Sequence, residues 1–166
     1  TADNLTELNS QIARILEYEK NPSGDWYEHT LSIASTQGAG YGFDGYPDYE
    51  FNQEILWPIL NNNQTYSSYV GLYDSGLYYF DGVTQSYMDN YTPENQHKDF
   101  AAELINNFGI GLINYTGHGN WQGWSNGAPL KNSDINNLEN TGLFPFIITV
   151  GCQVGDSSHS SDNFTS

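Results

Sequence analysis

Leu5, Leu8, Ile12, Ile15 and Leu16 recur at helical spacing in "NLTELNSQIARILEYEK", and "NPSGD" then ends the pattern. Residues 4–20 are therefore predicted to form an amphipathic helix. The next apolar stretch, "HTLSIAST" at 29–36, alternates and runs into glycine-rich sequence, which marks a buried strand and its exit loop. Residues 37–49 have no periodicity and read as a Gly/Tyr/Asp loop. "YEFNQEILWPILNN" at 49–62 reads as a helix that Pro58 bends or ends early. "YSSYVGLYD" at 66–74 is a second strand. The polar and aromatic connection at 75–97 is long enough to be functional or to hide short elements.

The remaining pattern is sharper. "HKDFAAELINNFG" at 97–109 is an amphipathic helix with Gly109 as its stop. "IGLINYT" at 110–116 is a third strand, nearly all apolar and hence central in a sheet. "KNSDINNLENTG" at 131–142 reads as a short helix and "FPFIITVGC" at 144–152 as a fourth strand. Strands alternating with helices predict one α/β domain over 1–166, with a mostly parallel sheet and helices on both faces. Sites in such sheets sit beyond the C-terminal ends of the strands. His118 lies just past the third strand and Cys152 at the end of the fourth, so neighbouring strands would open both side chains onto one edge.

Composition narrows the function classes. Four Lys+Arg against 20 Asp+Glu give a net charge of −16. Such a surface repels nucleic acid and anionic membrane, because both need clustered basic groups; neither is expected as a partner. The 13 Tyr, 8 Phe and 4 Trp can build a core, so the acidity does not signal disorder. No apolar run reaches membrane-spanning length. "TADNLTELNS" lacks the basic and apolar regions of a signal peptide, and reads as the interior of a longer chain. His29, His97 and His159 have no zinc-ligand spacing, and one cysteine cannot complete a structural zinc site.

Cys152 is the only cysteine. A thiol, an imidazole in reach and backbone donors for an oxyanion are the parts of cysteine proteolysis. Cys152 as nucleophile, His118 as base and acid, and the Gly119 and Cys152 amides as donors would supply them. The plainer alternative is that Cys152 is a small core hydrophobe and His118 a solvated loop residue. Residue types alone leave both open.

"LINYTGHG" with a tryptophan five residues after its last glycine, and "FPFIITVGCQVGD", together resemble the gingipain family of secreted bacterial cysteine endopeptidases, in the caspase-like clan. "LNSQIARILEYEKNPSGDWYEHTLSIASTQG" is similar to the helix, turn and strand preceding the active site in that family, so the resemblance covers nearly the whole chain. It implies a caspase-like three-layer α/β/α fold, in part, and makes His118 and Cys152 the catalytic pair, with Gly119 and Cys152 forming the oxyanion hole. The family's acidic assistant to the histidine is matched here by Gln37, a departure. Gln37 can accept a hydrogen bond but cannot stabilise imidazolium by charge, and Asp44 is a candidate substitute.

The resemblance also places a carboxylate at the floor of a pocket for a basic residue, matched by Glu50 with Asp48 close by. Such a carboxylate would pair with Arg or Lys. Trp124 matches a tryptophan near that pocket. The chemistry needs no cofactor. The family binds Ca²⁺ structurally, for which Asp74, Asp81, Asp89 and Glu94 are candidates, without an EF-hand pattern. Because the family's catalytic domain extends on both sides, residues 1–166 are expected to be its C-terminal half, truncated or processed. The expected partners are a protein or peptide substrate and the remaining chain of the same precursor, or self-association to cover an open sheet edge. The expected location is outside the cell or on its surface. The alternative to an active endopeptidase is a degenerate relative with a structural, assembly or binding role, which Gln37 favours.

Overall fold

The computed structural model describes residues 4–20, 24–35, 48–62, 66, 68–73, 76–80, 85–88 and 94–154. Helix α1 (Leu5–Lys20) opens at a cap written in the sequence. The Asn4 side-chain oxygen accepts the Glu7 N–H at 3.0 Å, and the Asn4 amide donates back to the Glu7 carboxylate at 2.5 Å. Near its other end, the Tyr18 hydroxyl donates to the Gly111 carbonyl at 3.0 Å, and Arg14 lies 4.9 Å above the Phe144 ring. The apolar stripe predicted for this helix exists but stays open: Leu5 is 70% exposed and Leu16 42%.

Strands β1 (His29–Ala34), β2 (Ser68–Tyr73), β3 (Gly76–Phe80) and β4 (Gln85–Met88), with β5 (Leu112–Thr116) and β8 (Phe146–Val150), form a sheet ordered β4-β3-β2-β1-β5-β8. β2, β1, β5 and β8 run parallel, whereas β3 and β4 are antiparallel additions beyond β2. The two remaining strands, β6 (Gly119–Asn120) and β7 (Gly123–Trp124), make a small separate hairpin.

Successive β1 residues face opposite sides. Leu31 and Ile33 join Val70, Leu72, Ile113 and Tyr115 beneath Ala101 of α4 (Glu94–Glu103) and Leu104 of the π-helical turn Leu104–Phe108 that continues it. Burying each of the leucine, isoleucine and valine side chains among them contributes about 2 kcal/mol. On the opposite face, Ala34 and Tyr73 pack against Trp57 of α3 (Trp57–Asn62). Helices thus cover both faces, as the alternation predicts. Gly109 closes the α4 unit with φ +71°.

The structure refines the sequence expectations in several places. The connection at 75–97 hides the short strands β3 and β4, which extend the sheet to six strands among the described residues. Pro58 does not end its helix. The helical run passes from α2 (Asp48–Glu50) through a π-helical segment, Phe51–Leu56, into α3, with Pro58 as the second residue of α3. The Trp57 N–H reaches back to the Asn52 carbonyl in this wider turn, which makes room just before the proline ring. The helix predicted at 131–142 shrinks to α5 (Asn132–Ile135), because asparagines compete for backbone hydrogen bonds. The open sheet edge that the sequence leads one to expect is β8, where Phe146 and Val150 are each 58% exposed.

Candidate active site

β5 and β8 pair in parallel with Thr116 opposite Val150, and the Gly117 N–H extends the ladder to the Val150 carbonyl at 3.0 Å. His118 is the next residue on one chain and Gly151–Cys152 follow on the other. The predicted convergence therefore holds in register: His118 and Cys152 each stand two residues past a paired position, at the C-terminal edge of adjacent strands about 4.8 Å apart. Both residues are exposed, and Cys152 is a free thiol rather than a core hydrophobe. Where the Gly119 Cβ would stand, the Cys152 carbonyl oxygen is 3.3 Å away, so the two loops touch backbone to backbone.

The histidine loop is fixed from within. The His118 N–H donates to the Asn126 side-chain oxygen at 3.1 Å, and its carbonyl accepts the Ser125 N–H at 2.9 Å and the Tyr115 hydroxyl. The Ser125 bond makes Gly119 and Trp124 a non-hydrogen-bonded pair of the β6–β7 ladder, which leaves the Gly119 N–H out of that ladder. Beneath the hairpin the Tyr115 and Trp124 rings stack at 4.7 Å, with 8° between their planes. Trp124 was expected beside a substrate pocket. At 1% exposure it is a core residue that supports the hairpin from below, because its ring finds an aromatic partner inside.

The acidic candidates approach the same edge from β1. The Tyr49 N–H donates to the Ser35 carbonyl at 3.2 Å, and the Ser35 N–H donates to the Thr116 carbonyl at 3.1 Å. That backbone relay sets the start of α2, with half-buried Asp48 and Glu50, beside the exits of β1 and β5. The Tyr49 hydroxyl donates to the Glu50 carboxylate at 3.2 Å. Gln37 and Asp44 lie outside the described residues, as do the side chains of Asp74, Asp81, Asp89 and Glu94. Among the described residues no cluster of three or more His, Cys, Asp or Glu could hold a metal ion.

Several supporting residues escaped the sequence reading. Asn52 is fully buried and accepts hydrogen bonds from the Asn114 amide at 3.0 Å and the Thr116 hydroxyl at 3.3 Å, which ties the π-helical segment to the end of β5. His97, also buried, bonds through Nδ1 to the Gly127 carbonyl at 3.0 Å, next to Asn126. A polar residue in an otherwise apolar run, as Asn114 is in "LINYT", was the available signal for the first of these.

A family model described as peptidase family C25 matches residues 1–166. Gingipain R2 of Porphyromonas gingivalis is 28% identical over 158 residues, which are 94% of this chain and 18% of that protein. Gingipain R1 of the same species is 28% identical over 94% of this chain and 14% of its own length. The chain thus spans less than a fifth of the curated relatives it matches. Among solved structures, the Arg-specific cysteine proteinase gingipain R superposes with a TM-score of 0.73 at 27% identity, covering 98% of this chain and 33% of that one. The complex of the RgpB pro- and mature domains gives 0.74 at 27% identity, covering 98% and 34%. The caspase-like fold expected from the sequence is the fold observed.

Proposed function

Because the chain belongs to peptidase family C25, we propose that residues 1–166 form the nucleophile-bearing part, in the C-terminal half, of the catalytic domain of a cysteine endopeptidase that cleaves after a basic residue. The observation that carries this reading is the β5–β8 register, which sets His118 and Cys152 side by side on one exposed edge. His118 takes the Cys152 proton, and the thiolate sulfur attacks the peptide carbonyl carbon. The resulting oxyanion is held by the Gly119 and Cys152 N–H groups. The C–N bond breaks as His118 returns the proton to the leaving amine, leaving a thioester on Cys152. A water deprotonated by His118 then hydrolyses it.

The acidic start of α2 supports a preference for Arg or Lys, through Glu50 with Asp48 beside it. With Gln37 in place of a carboxylate, imidazolium lacks charge stabilisation from that position; Asp44 is the alternative assistant. The reading needs no cofactor for the chemistry and keeps structural Ca²⁺ as a proposal resting on resemblance. Secretion or display on a bacterial surface has the same basis. The remaining polypeptide of its precursor is the proposed partner. Open β8 and the apolar stripe of α1 support this, and they border a groove of about 1150 Å³ lined by Ile15, Ile113, Phe144 and Ile147.

Gln37 also favours a second reading, a degenerate relative with an assembly role. Peptidyl acyloxymethyl ketones ending in Arg, Lys or Leu separate the two. The expected result is an adduct on Cys152 with the Arg and Lys probes, absent in His118→Ala. No adduct with any probe would leave the assembly role standing alone.

A further inference from the structure

The turn after Cys152 has an unusual geometry. Gln153 has φ +58° and is the one non-glycine residue with positive φ among the described residues. Residues other than Gly, Asn and Asp seldom adopt that conformation, so the surroundings must hold it. The next residue supplies the hold. Val154 is 2% exposed and belongs to the main apolar cluster with Tyr115 and Trp124, whereas Cys152 and Gln153 are both exposed. The left-handed residue turns the chain so that the thiol faces out and the valine goes in.

The valine lands against the histidine loop. Its Cγ2 is 2.4 Å from where a Cβ on Gly119 would stand and 3.2 Å from where one on Gly151 would stand. The methyl fills the notch that glycine leaves at 119. Nothing else about position 119 demands glycine conformationally, since its φ lies outside the left-handed region.

We propose that Val154 is a positioning residue: seated in the Gly119 notch, it locks the turn bearing Cys152 against the loop bearing His118 and so sets the thiol–imidazole separation. The inference rests on the Cys152–His118 reading above. Its physical basis is that a misplacement of order 1 Å between reacting groups is costly, up to about a hundredfold in rate.

The test uses the full chain, with iodoacetamide as the thiol probe and thermal unfolding as the control. Val154→Ala should lower the His118-dependent alkylation rate of Cys152 about tenfold and move its pH profile toward that of an ordinary thiol. Val154→Thr keeps the branched shape while burying a hydroxyl, so it should lose melting temperature yet keep the wild-type profile. Gly119→Ala should be strongly destabilised, and Val154→Ala in the same chain should partly restore it, because the smaller side chain vacates the clash. Additive destabilisation by Gly119→Ala and Val154→Ala would overturn the docking. Compensation together with a wild-type pH profile in Val154→Ala would overturn the positioning role and leave Val154 as core packing. A wild-type profile already indifferent to His118→Ala would instead overturn the catalytic reading, and the positioning role with it, whatever the melting temperatures show.

Discussion

Residues 115–130 and the strip formed by α1 and β8 border the same apolar cluster but are finished to different degrees. In the first region nearly every backbone turn is tied down. His118 is held at its N–H and its carbonyl, Trp124 is stacked on Tyr115, and the Trp124 N–H donates to the Leu130 carbonyl at 2.9 Å. In the second region Leu5, Ile15, Phe146 and Val150 are all more than half exposed. The contrast indicates that the geometry around His118 is self-supporting within this chain, whereas the outer strip carries apolar surface of the kind that marks an interface.

The contrast breaks most visibly under substitution of the two regions in parallel. Trp124→Ala should cost about 3–5 kcal/mol, the range for a buried aromatic cut to alanine, read as a lower denaturant midpoint. Ile15→Gln on α1 should change the stability of the same chain by no more than about 0.5 kcal/mol. If Ile15→Gln cost as much as Trp124→Ala, the α1 stripe would be core and the asymmetry would be gone. Asn52→Ala comes next. It removes the acceptor shared by the Asn114 amide and the Thr116 hydroxyl and should cost about 1–3 kcal/mol. An unchanged midpoint would mean that the relay from the π-helical segment to β5 contributes nothing. A smaller loss than at Asn52 is expected at Asn4→Ala, which deletes the cap of α1 and should cost about 1 kcal/mol. Its loss should appear as faster amide exchange confined to the first turn of α1, with the His118 loop unaffected.

Much of this architecture was legible because burial writes contiguous apolar runs. β1, β5 and β8 follow such runs, and the position of His118 and Cys152 just beyond two of them foretold a shared edge. β3 and β4 were less legible because tyrosine, glycine, serine and glutamine dominate them, although Asp81-Gly82 between them is a hairpin signal that could have been weighed. The apolar run of β8 foretold a strand but not which strand would stand at the open edge of the sheet, because edge position is set by the pairing order and not by the run itself. Trp124 illustrates the opposite limit. Its spacing from Gly119 matched a pocket residue, yet only the hairpin geometry shows that the ring turns inward onto Tyr115. Val154 stands inside "FPFIITVGCQVGD", yet nothing in that motif marks it, because the significance of a valine there lies in the missing side chain at Gly119.

The most direct measurement is the rate of Cys152 alkylation by iodoacetamide as a function of pH, in wild type and in His118→Ala. A fast wild-type rate that titrates below the ordinary thiol value of about 8.5, and slows to that of a free thiol in His118→Ala, is the expected result for a working pair. A slow rate that rises only through the ordinary thiol range and is identical in His118→Ala would contradict it, and would make this edge of the sheet a scaffold rather than a catalytic site.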